Sequence, residues 1–472
     1  MVKGKKLVFW LLLVGLLHCL HGGEVPASNV SAVARAPKSF TLLVYMVNNN
    51  NLNNQGLENV KQMLQVSSTP FINVVVQIDD FGKMTSARYF LENGNAMLDR
   101  SWQHEGLSGS AENLYDFMKW GITKFPAQHY AVDLWGHGTG VKDQSIWGRI
   151  FAEHSDEFYV LNPATGLLEL DTERARLRMQ QFCKEPRGVA YNDATQEYLT
   201  NQDLKTVFDR VCTTLLGGNK IDVVLFDACL MQMIEVASQI KDSVRFMVGS
   251  ENVIPSKGYD YVALLRPFLM GSMSPEDFAR HAVESYALTY GRTHADYTLS
   301  AVMLSGSQVL EQNIRQMSDC LATLIKTKKF FATLRSIRES YNKTTEFFDE
   351  DYIDMLHFYK SLLNGCGQMK DFTVAQPSSD QKLSFFNFGN YDRTLNRLKE
   401  VLEKGVAILE TMPLRNLAGR RFPCASGISM YFPKNGIHRS YERTVFAQTT
   451  QWAKFLKDYQ ERSHDEDTSC CC

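Results

Sequence analysis

Cys229 and His137 are the two residues whose types and positions could together perform nucleophilic chemistry. Cys229 follows Val223 to Phe226, a short apolar run typical of a strand buried on both faces of a parallel sheet. Apolar residues then recur at helical spacing from Met233 to Ile240. We therefore predict that the cysteine lies at the carboxyl end of a strand and near the amino end of a helix, where the reactive thiolate is favoured.

His137 occupies an equivalent place, and a thiolate nucleophile needs such a base or proton donor. The strand-like run Tyr130 to Trp135 leads into the segment Gly136-His137-Gly138-Thr139-Gly140. Glycines on both sides favour a turn with close backbone approach, and the N–H of Gly138 could help to bind an oxyanion. Each residue also has an ordinary interpretation, Cys229 as a small buried hydrophobe and His137 as a turn residue. Their shared position after buried strands predicts a catalytic pair.

The sequence around this pair resembles the clostripain family of cysteine peptidases, in the clan of caspases, legumain and gingipains. In that clan, a His-Gly turn and a later Ala-Cys pair form the dyad, which matches His137-Gly138 and Ala228-Cys229. The resemblance covers about residues 40 to 460. Its segments are, in order, LLVYMVNNNNLNNQGLENVKQM, INVVVQIDD, FPAQHYAVDLWGHGTG, YLTNQDLKTVFDRV, GISMYFPKNG and YERTVFAQTTQWAKFLKDY.

The resemblance implies both a fold and a mechanism. The implied fold is a caspase-like α-β-α sandwich, an α/β fold with a mostly parallel central sheet, to which a helical subdomain is added. In the implied mechanism, Cys229 attacks the scissile carbonyl to form a thioester and His137 protonates the leaving amine. The backbone N–H groups of Gly138 and Cys229 hold the oxyanion. No third catalytic residue is assigned.

Substrate specificity is where the sequence departs from the family pattern. Relatives that cleave after Arg or Lys carry an acidic pocket residue two positions before the cysteine, which matches Asp227. A second acidic residue is expected in a Pro-Gly-Asp-Gly-like turn, and Lys257 stands there instead. Two like charges about 4 Å apart cost on the order of 4 kcal/mol at an effective dielectric constant near 20. An inward Lys257 would thus oppose a basic substrate side chain, whereas an exposed Lys257 leaves Asp227 or Asp260 to select one.

Composition describes an ordinary soluble globular protein, with 44% hydrophobic and 22% charged residues. The net charge of -2 predicts no nucleic-acid partner. Three lysines precede the apolar run Leu7 to Leu17, which is the plan of a secretory signal peptide over residues 1–23. We therefore expect an exported protein that is secreted, periplasmic or at the cell surface. Membrane contact is expected only if this segment is retained as an anchor or if Cys19 is lipidated.

The remaining chain divides into three predicted parts. Residues 24–38 read as a linker or pro-segment, and residues 39–460 as the peptidase domain with a helical insertion at about 307–382. Residues 461–472 form a polar tail that ends in three cysteines. The other cysteines lack the spacing of a disulfide framework or a zinc site, and most are predicted to be buried thiols.

Two further segments allow specific predictions. The irregular stretch from Val141 to Arg187 is either a loop cut during activation or, in part, a solvated helix from Leu167 to Phe182. The asparagine-rich stretch from Asn48 to Asn54 predicts a turn and a helix cap. The basic residues that offer cleavage sites in the first stretch are Arg176, Arg178, Lys184 and Arg187.

Together these observations predict an exported cysteine endopeptidase that acts on proteins or peptides and is made as a zymogen. The alternative is a non-catalytic cell-surface binding protein that keeps the peptidase fold. A hydrolase or acyltransferase that uses the same dyad on another carbonyl is a third interpretation. No cofactor is predicted, and a calcium requirement cannot be read from the sequence.

Overall fold

A sheet of ten strands crosses the molecule, and its central strands lead into the turns that hold the candidate residues. The computed structural model describes residues 36–79, 85–100, 104–105, 108–142, 158–175, 190, 192, 195, 197–327, 329–371 and 381–469. Several sequence predictions lie outside these residues. They concern the signal peptide (1–23), most of the linker (24–38), Arg176, Arg178, Cys183, Lys184, Arg187 and Cys470 to Cys472.

The strands form one large sheet and two small two-stranded sheets. In chain order they are β1 (Lys38–Met46), β2 (Ile72–Asp79), β3 (Thr85–Glu92), β4 (Asn95–Leu98), β5 (His104–Glu105), β6 (Ala127–Trp135), β7 (Tyr159–Asn162), β8 (Leu167–Leu170), β9 (Ile221–Asp227), β10 (Val244–Gly249), β11 (Thr298–Met303), β12 (Tyr352–Asp354), β13 (Pro413–Ala418) and β14 (Ser429–Tyr431). The large sheet has the order β13-β11-β10-β9-β6-β1-β2-β3-β4, and β5 pairs with β3.

The centre of the sheet is parallel and its edges are antiparallel. Strands β10, β9, β6, β1 and β2 pair in parallel, while β3 and β11 pair antiparallel to their neighbours. Parallel strands are buried on both faces, so their sequences are continuous apolar runs. In β1, for example, every residue from Phe40 to Met46 is buried. The predicted mostly parallel central sheet is therefore confirmed.

Helices cover both faces of this sheet. They are α1 (Asn53–Val66), α2 (Ala111–Lys124), α3 (Asn201–Thr214), α4 (Ile234–Ile240), α5 (Tyr261–Leu265), α6 (Pro275–Tyr290), α7 (Ser307–Leu324), α8 (Phe330–Lys343), α9 (Met355–Asp371), α10 (Gln381–Thr411), α11 (Val445–Thr450) and α12 (Trp452–Ser469). One layer contains α1, α5 and α6, and the other contains α2, α3 and α4. Helices α7, α8 and α9 lie within the stretch predicted as a helical insertion, about 307–382, whereas α10 begins at its end and continues to Thr411.

Local sequence signals explain where several of these helices begin. Helix α3 starts with a reciprocal capping box, in which Thr200 and Asp203 satisfy each other's backbone N–H groups. Helix α6 starts with Ser274 as the cap and Pro275 as the first helical residue, an arrangement that suits a proline without an N–H. None of the helices that could be searched among the described residues is both long and apolar enough to cross a membrane.

The stretch between β6 and α3 contains a hairpin. Strands β7 and β8 pair with each other, and Leu168 also exchanges backbone hydrogen bonds with Thr293 and Ala295. The alternative interpretation of Leu167 to Phe182 as a helix is therefore wrong over Leu167–Leu170. Pairing with two other segments outweighs the helical pattern of the local charges.

The described cysteines are free thiols. The prediction that most are buried is confirmed for Cys212, Cys229, Cys320 and Cys366, whereas Cys424 is exposed.

Candidate active site

The turn after β6 packs directly against the turn after β9. These two strands are parallel neighbours, with Trp135 opposite Asp227. A Cβ atom on Gly138 would lie 2.3 Å from the carbonyl oxygen of Cys229 and 3.0 Å from its backbone nitrogen. Only glycine permits this approach without displacing the backbone. The sheet thus brings the predicted residues Gly138 and Cys229 into contact, with His137 next to them in the chain.

The thiol of Cys229 is covered in this structure. Its residue is 5% exposed, and the backbone N–H of Ile254 donates to Sγ at 3.3 Å. Burial, together with the nearby negative charge of Asp227, raises the pKa of the Cys229 thiol to about 12. The thiol is therefore protonated at neutral pH.

The expected help from a helix amino terminus is absent at Cys229. Helix α4 begins at Ile234, so the turn from Ala228 to Met233 separates it from the thiol. The helix dipole acts only over the first turn. The expectation of a favoured thiolate is thus wrong for this state, because burial dominates.

His137 is held by a residue that the sequence did not single out. The Nε2 atom of His137 lies 2.9 Å from Oδ1 of Asn51, and His137 is only 3% exposed. A carboxamide oxygen can only accept, so Nε2 carries the proton in this arrangement. On the other side, the backbone N–H of Ala190 donates to the carbonyl oxygen of His137. The available signal was the position of Asn51 shortly after β1, since β1 is the sheet neighbour of β6.

The asparagine-rich stretch forms the predicted turn but not the predicted helix cap. Within the turn, Asn50 Oδ1 accepts from the N–H of Leu52, and Asn50 Nδ2 donates to the carbonyl oxygen of Val47. Helix α1 then begins at Asn53 with Leu52 as its N-cap and without a side-chain capping bond. Asparagine side chains here bond to the turn and to His137, which is why the helix cap prediction is wrong.

A buried carboxylate, Asp79, supports this turn from behind. It accepts hydrogen bonds from the backbone N–H of Ser108, from Nδ2 of Asn192, and from the N–H groups of Asn48 and Asn49. Burial raises the pKa of Asp79 to about 6, although these donors lower it. Asp79 therefore joins the ends of β1 and β2 to Asn192.

Asp227 lies beneath the loop that follows β10. Its carboxylate accepts from the backbone N–H of Tyr259 and from the Tyr261 hydroxyl, both at 3.0 Å. A Cβ atom on Gly258, where φ is +62°, would lie 2.4 Å from an Asp227 oxygen. Only glycine suits both this φ and this contact.

A second buried carboxyl group shares the same hydroxyl. Tyr261 Oη lies 2.7 Å from an oxygen of Asp133, on the neighbouring strand β6. A hydroxyl has one hydrogen, so the second contact is satisfied when one carboxyl is protonated and donates to Tyr261. Burial raises the pKa of both groups, that of Asp227 to about 6, and the negative charge of Asp227 raises that of Asp133 further. Asp133 and Asp227 together behave as an acid pair that carries one negative charge.

Tyrosine side chains form a wall beside Asp227. The Tyr290 hydroxyl donates to the carbonyl oxygen of Gly258 at 2.6 Å. The ring of Tyr286 lies between those of Tyr259 and Tyr290, with ring centroids 5.7 Å and 4.5 Å away. The ring faces of this aromatic wall are apolar, and Asp227 supplies a charge beside it.

Lys257 and Asp260 are engaged differently from Asp227. The side chain of Lys257 is exposed, and its backbone carbonyl accepts from Asn59 Nδ2 at 3.1 Å. Asp260 caps helix α5, where its carboxylate accepts from the N–H of Ala263 at 3.0 Å. Of the three predicted pocket residues, Asp227 alone is buried beside Gly258. Within the described parts of the chain, no cluster of three or more His, Cys, Asp or Glu side chains could hold a metal ion.

Comparison of the sequence with models of protein families identifies the family of this protein. The model of the clostripain family, peptidase family C11, matches residues 44–153 and 175–459, which include His137 and Cys229. This chain belongs to the clostripain family. The predicted resemblance is thereby confirmed, and with it the assignment to cysteine-type peptidases. Comparison with curated proteins finds no match.

Solved structures show the same fold as this clostripain-family chain. A secreted C11 cysteine protease from Bacteroides thetaiotaomicron, in complex with an irreversible peptide inhibitor, is 16% identical with a TM-score of 0.55, over 88% of this chain and 99% of that one. Another structure of a secreted C11 cysteine protease from the same organism is 14% identical with a TM-score of 0.57, over 88% and 100%. An inactive zymogen C11 protease from Parabacteroides distasonis is 15% identical with a TM-score of 0.55, over 89% and 99%. The caspase-like fold expected for the family is confirmed.

Selective alkylation tests the burial of the Cys229 thiol. Iodoacetamide at pH 7.5 should label Cys424 at least about tenfold faster than Cys229 in the uncut chain, because only a solvent-accessible thiolate reacts. Mass spectrometry of the two cysteine-containing peptides gives both rates from one sample. Equal or faster labelling of Cys229 would contradict a buried, protonated thiol.

The acid pair predicts a pH-dependent effect of Asp133→Asn on stability. Above the ordinary carboxyl pKa the folded protein binds more protons at the pair than the unfolded chain does, because the pKa of Asp227 is raised to about 6 and that of Asp133 is raised as well, so the pair lowers stability as pH rises. The variant lacks one of these carboxyls, so its free energy of unfolding relative to wild type should improve by about 1 to 3 kcal/mol from pH 4.5 to pH 8. Urea denaturation at both pH values measures it.

The matched control for this change is Asp319→Asn, on the exposed face of α7. Its free energy of unfolding is measured at the same two pH values, and the difference between the two variants gives the contribution of the pair. A pH-independent effect of Asp133→Asn would show that the two carboxyls do not share a proton.

Proposed function

We propose that this protein is an exported cysteine endopeptidase in which Cys229 and His137 form the catalytic dyad. The observation that supports the proposal is the close approach of Gly138, the residue after His137, to the backbone oxygen and nitrogen of Cys229. A nucleophile next to a base that is oriented by a third group is the arrangement that acyl transfer requires. Asn51 is the orienting group in this proposal, because it bonds to Nε2 of His137.

The proposed reaction has two steps. Cys229 gives its proton to His137 and its sulfur attacks the carbonyl carbon, while the N–H groups of Gly138 and Cys229 hold the oxyanion. The C–N bond then breaks as the amine takes the proton from His137, and a thioester remains. Water then gives a proton to His137 while its oxygen attacks the thioester carbonyl, the C–S bond breaks, and the Cys229 sulfur takes the proton back from His137 as the acid product leaves.

The covered thiol supports a zymogen as part of this proposal. Attack on a substrate requires Sγ to leave its bond with Ile254 N–H and to become accessible. One of the structures that share the fold is an inactive zymogen. We propose that a cut between residues 143 and 189 converts the precursor into the active form. The buried residues Val141 and Lys142 are poor cleavage sites, so the cut is expected beyond them.

We further propose cleavage after arginine or lysine. Asp227 Oδ1 is buried and has no hydrogen-bond partner among the described residues, so it can accept from a cationic substrate side chain. The aromatic wall of Tyr259, Tyr286 and Tyr290 suits the apolar stem of such a side chain. The exposed Lys257 side chain is free to point to solvent and need not oppose the substrate charge.

The buried, protonated thiol also favours a second candidate, a cell-surface binding protein that retains the fold without turnover. This candidate predicts that Cys229 stays unreactive after any cut in the chain. The peptidase predicts that the cut releases the thiol.

Cleavage of a peptide library randomised before the scissile bond tests the proposal. Protein nicked between residues 143 and 189 should cleave after Arg or Lys, and Cys229→Ala should abolish this activity. Asp227→Asn should lower kcat/KM for Arg or Lys peptides at least about a hundredfold, because it removes the pocket charge. Cleavage after acidic or neutral residues would overturn the specificity, and no cleavage by nicked protein would favour the binding protein.

The role of Asn51 is tested separately. Asn51→Ala should lower kcat by about ten- to a hundredfold with little change in KM, because the imidazole loses the bond that fixes its tautomer. Asn54→Ala, at an exposed position of the same stretch, is the matched control and should retain full activity. Equal kcat for both variants would remove Asn51 from the mechanism.

A further inference from the structure

A buried ion cluster lies at the far end of the histidine turn. Lys142 is 8% exposed, and its Nζ contacts both carboxylate oxygens of Asp349, at 2.8 and 2.9 Å. The same Nζ lies 2.7 Å from an oxygen of Asp351 and 5.3 Å from the ring centroid of Tyr352. The two carboxylates belong to the segment that leads into β12, so the cluster joins parts of the chain 207 residues apart.

The cluster is connected to the histidine turn by hydrogen bonds. The Tyr352 hydroxyl donates to the carbonyl oxygen of Thr139 at 2.6 Å and accepts from the N–H of Lys142 at 3.2 Å. Within the turn, Thr139 Oγ1 donates to the carbonyl oxygen of Lys142 at 3.0 Å. Fixing the Lys142 side chain therefore fixes the backbone two residues after His137.

Packing holds the same turn from two sides. A Cβ atom on Gly140 would lie 2.5 Å from Met233 Sδ and 2.8 Å from Tyr352 Cε2. The turn therefore packs between the segment that follows Cys229 and the segment that carries Asp349 and Asp351. A displacement of Tyr352 would be transmitted directly to Thr139 and Gly140.

Stability alone does not account for this cluster. Burying an ammonium group and two carboxylates carries a desolvation cost. Proteins in which apolar residues of similar volume replace such a cluster are often equally stable. The benefit of a buried ion cluster is a defined geometry, since its members accept few arrangements. Here that geometry is imposed on the turn that contains His137.

We propose that Lys142, held by Asp349 and Asp351, is a positioning residue that sets the place of His137 relative to Cys229. The inference rests on the proposed peptidase function for its consequence in catalysis. Through this ion cluster, the segment after α8 helps to form the dyad, although the segment contributes no residue to the dyad.

Two variants separate positioning from folding. Lys142→Met leaves Asp349 buried without its cation and should lower the urea midpoint of unfolding. The double variant Lys142→Met/Asp349→Asn also removes that stranded charge, so its urea midpoint should return toward wild type. The contact between the Lys142 ammonium group and the segment of Asp349 and Asp351 stays broken in both variants, whereas the Tyr352 hydroxyl is kept. The matched control is Lys326→Met, in which an exposed lysine just after α7 loses its ion pair with the half-buried Asp458 of α12.

Kinetics and hydrogen exchange are then measured on the double variant. We expect kcat to fall by about ten- to a hundredfold with KM within about twofold of wild type, since a displaced base slows chemistry more than binding. Amide exchange in the peptide covering residues 136–142 should become at least about tenfold faster, because the segment that carries the Tyr352 hydroxyl, the acceptor of the residue 142 N–H, is then no longer held against the turn by the ion cluster. Lys326→Met should leave both quantities unchanged.

The outcomes distinguish this inference from the proposed function. A double variant with wild-type kcat and unchanged exchange at residues 136–142 would overturn the positioning role. Faster exchange in the double variant, together with no turnover by the nicked wild-type protein, would support the positioning role and refute the peptidase function. Loss of kcat with unchanged exchange would overturn positioning, because the turn would not have moved.

Discussion

The parallel pairing of β6 with β9 is the constraint on which the candidate site depends. In this register Trp135 lies opposite Asp227, so the chain leaves both strands at the same edge of the sheet. The N–H of Gly136 also donates to the carbonyl oxygen of Asp227 and extends the pairing into the turn. A shift of one residue would turn the side chains of one strand to the opposite face. The contact between Gly138 and Cys229 exists only in the observed register.

Burial controls the chemistry of this edge. The thiol of Cys229 and the carboxyls of Asp133 and Asp227 are all removed from water. Burial therefore raises the pKa of each group and favours its neutral form. A site closed in this way is poorly suited to attack a peptide but well suited to avoid premature reaction. Access to the thiol is therefore the step that an activating change in the chain would have to supply.

Residues from distant parts of the chain converge on His137. On one side, Asn51 bonds to the imidazole, and Asp79 holds the turn that contains Asn51. On the other side, Tyr352 bonds to the backbone of the histidine turn and lies beneath the Lys142 ammonium group. Two independent sets of contacts thus restrain one short loop between buried strands. A scaffold of this kind keeps functional loops ordered within a rigid sheet.

Sequence patterns were enough to predict the central strands, the histidine and cysteine turns, and the family. Strands buried on both faces must be continuously apolar, and the glycines beside His137 permit the close backbone contact that was found. These signals are local, so they can be read from neighbouring residues. The positions of Asn51, Lys142 and Asp133 were decided only by the tertiary structure. Their partners are 86, 207 and 128 residues away, and no local pattern encodes such distances. The protonated state of Cys229 was likewise decided by tertiary burial, because the desolvation of a thiol depends on everything packed around it.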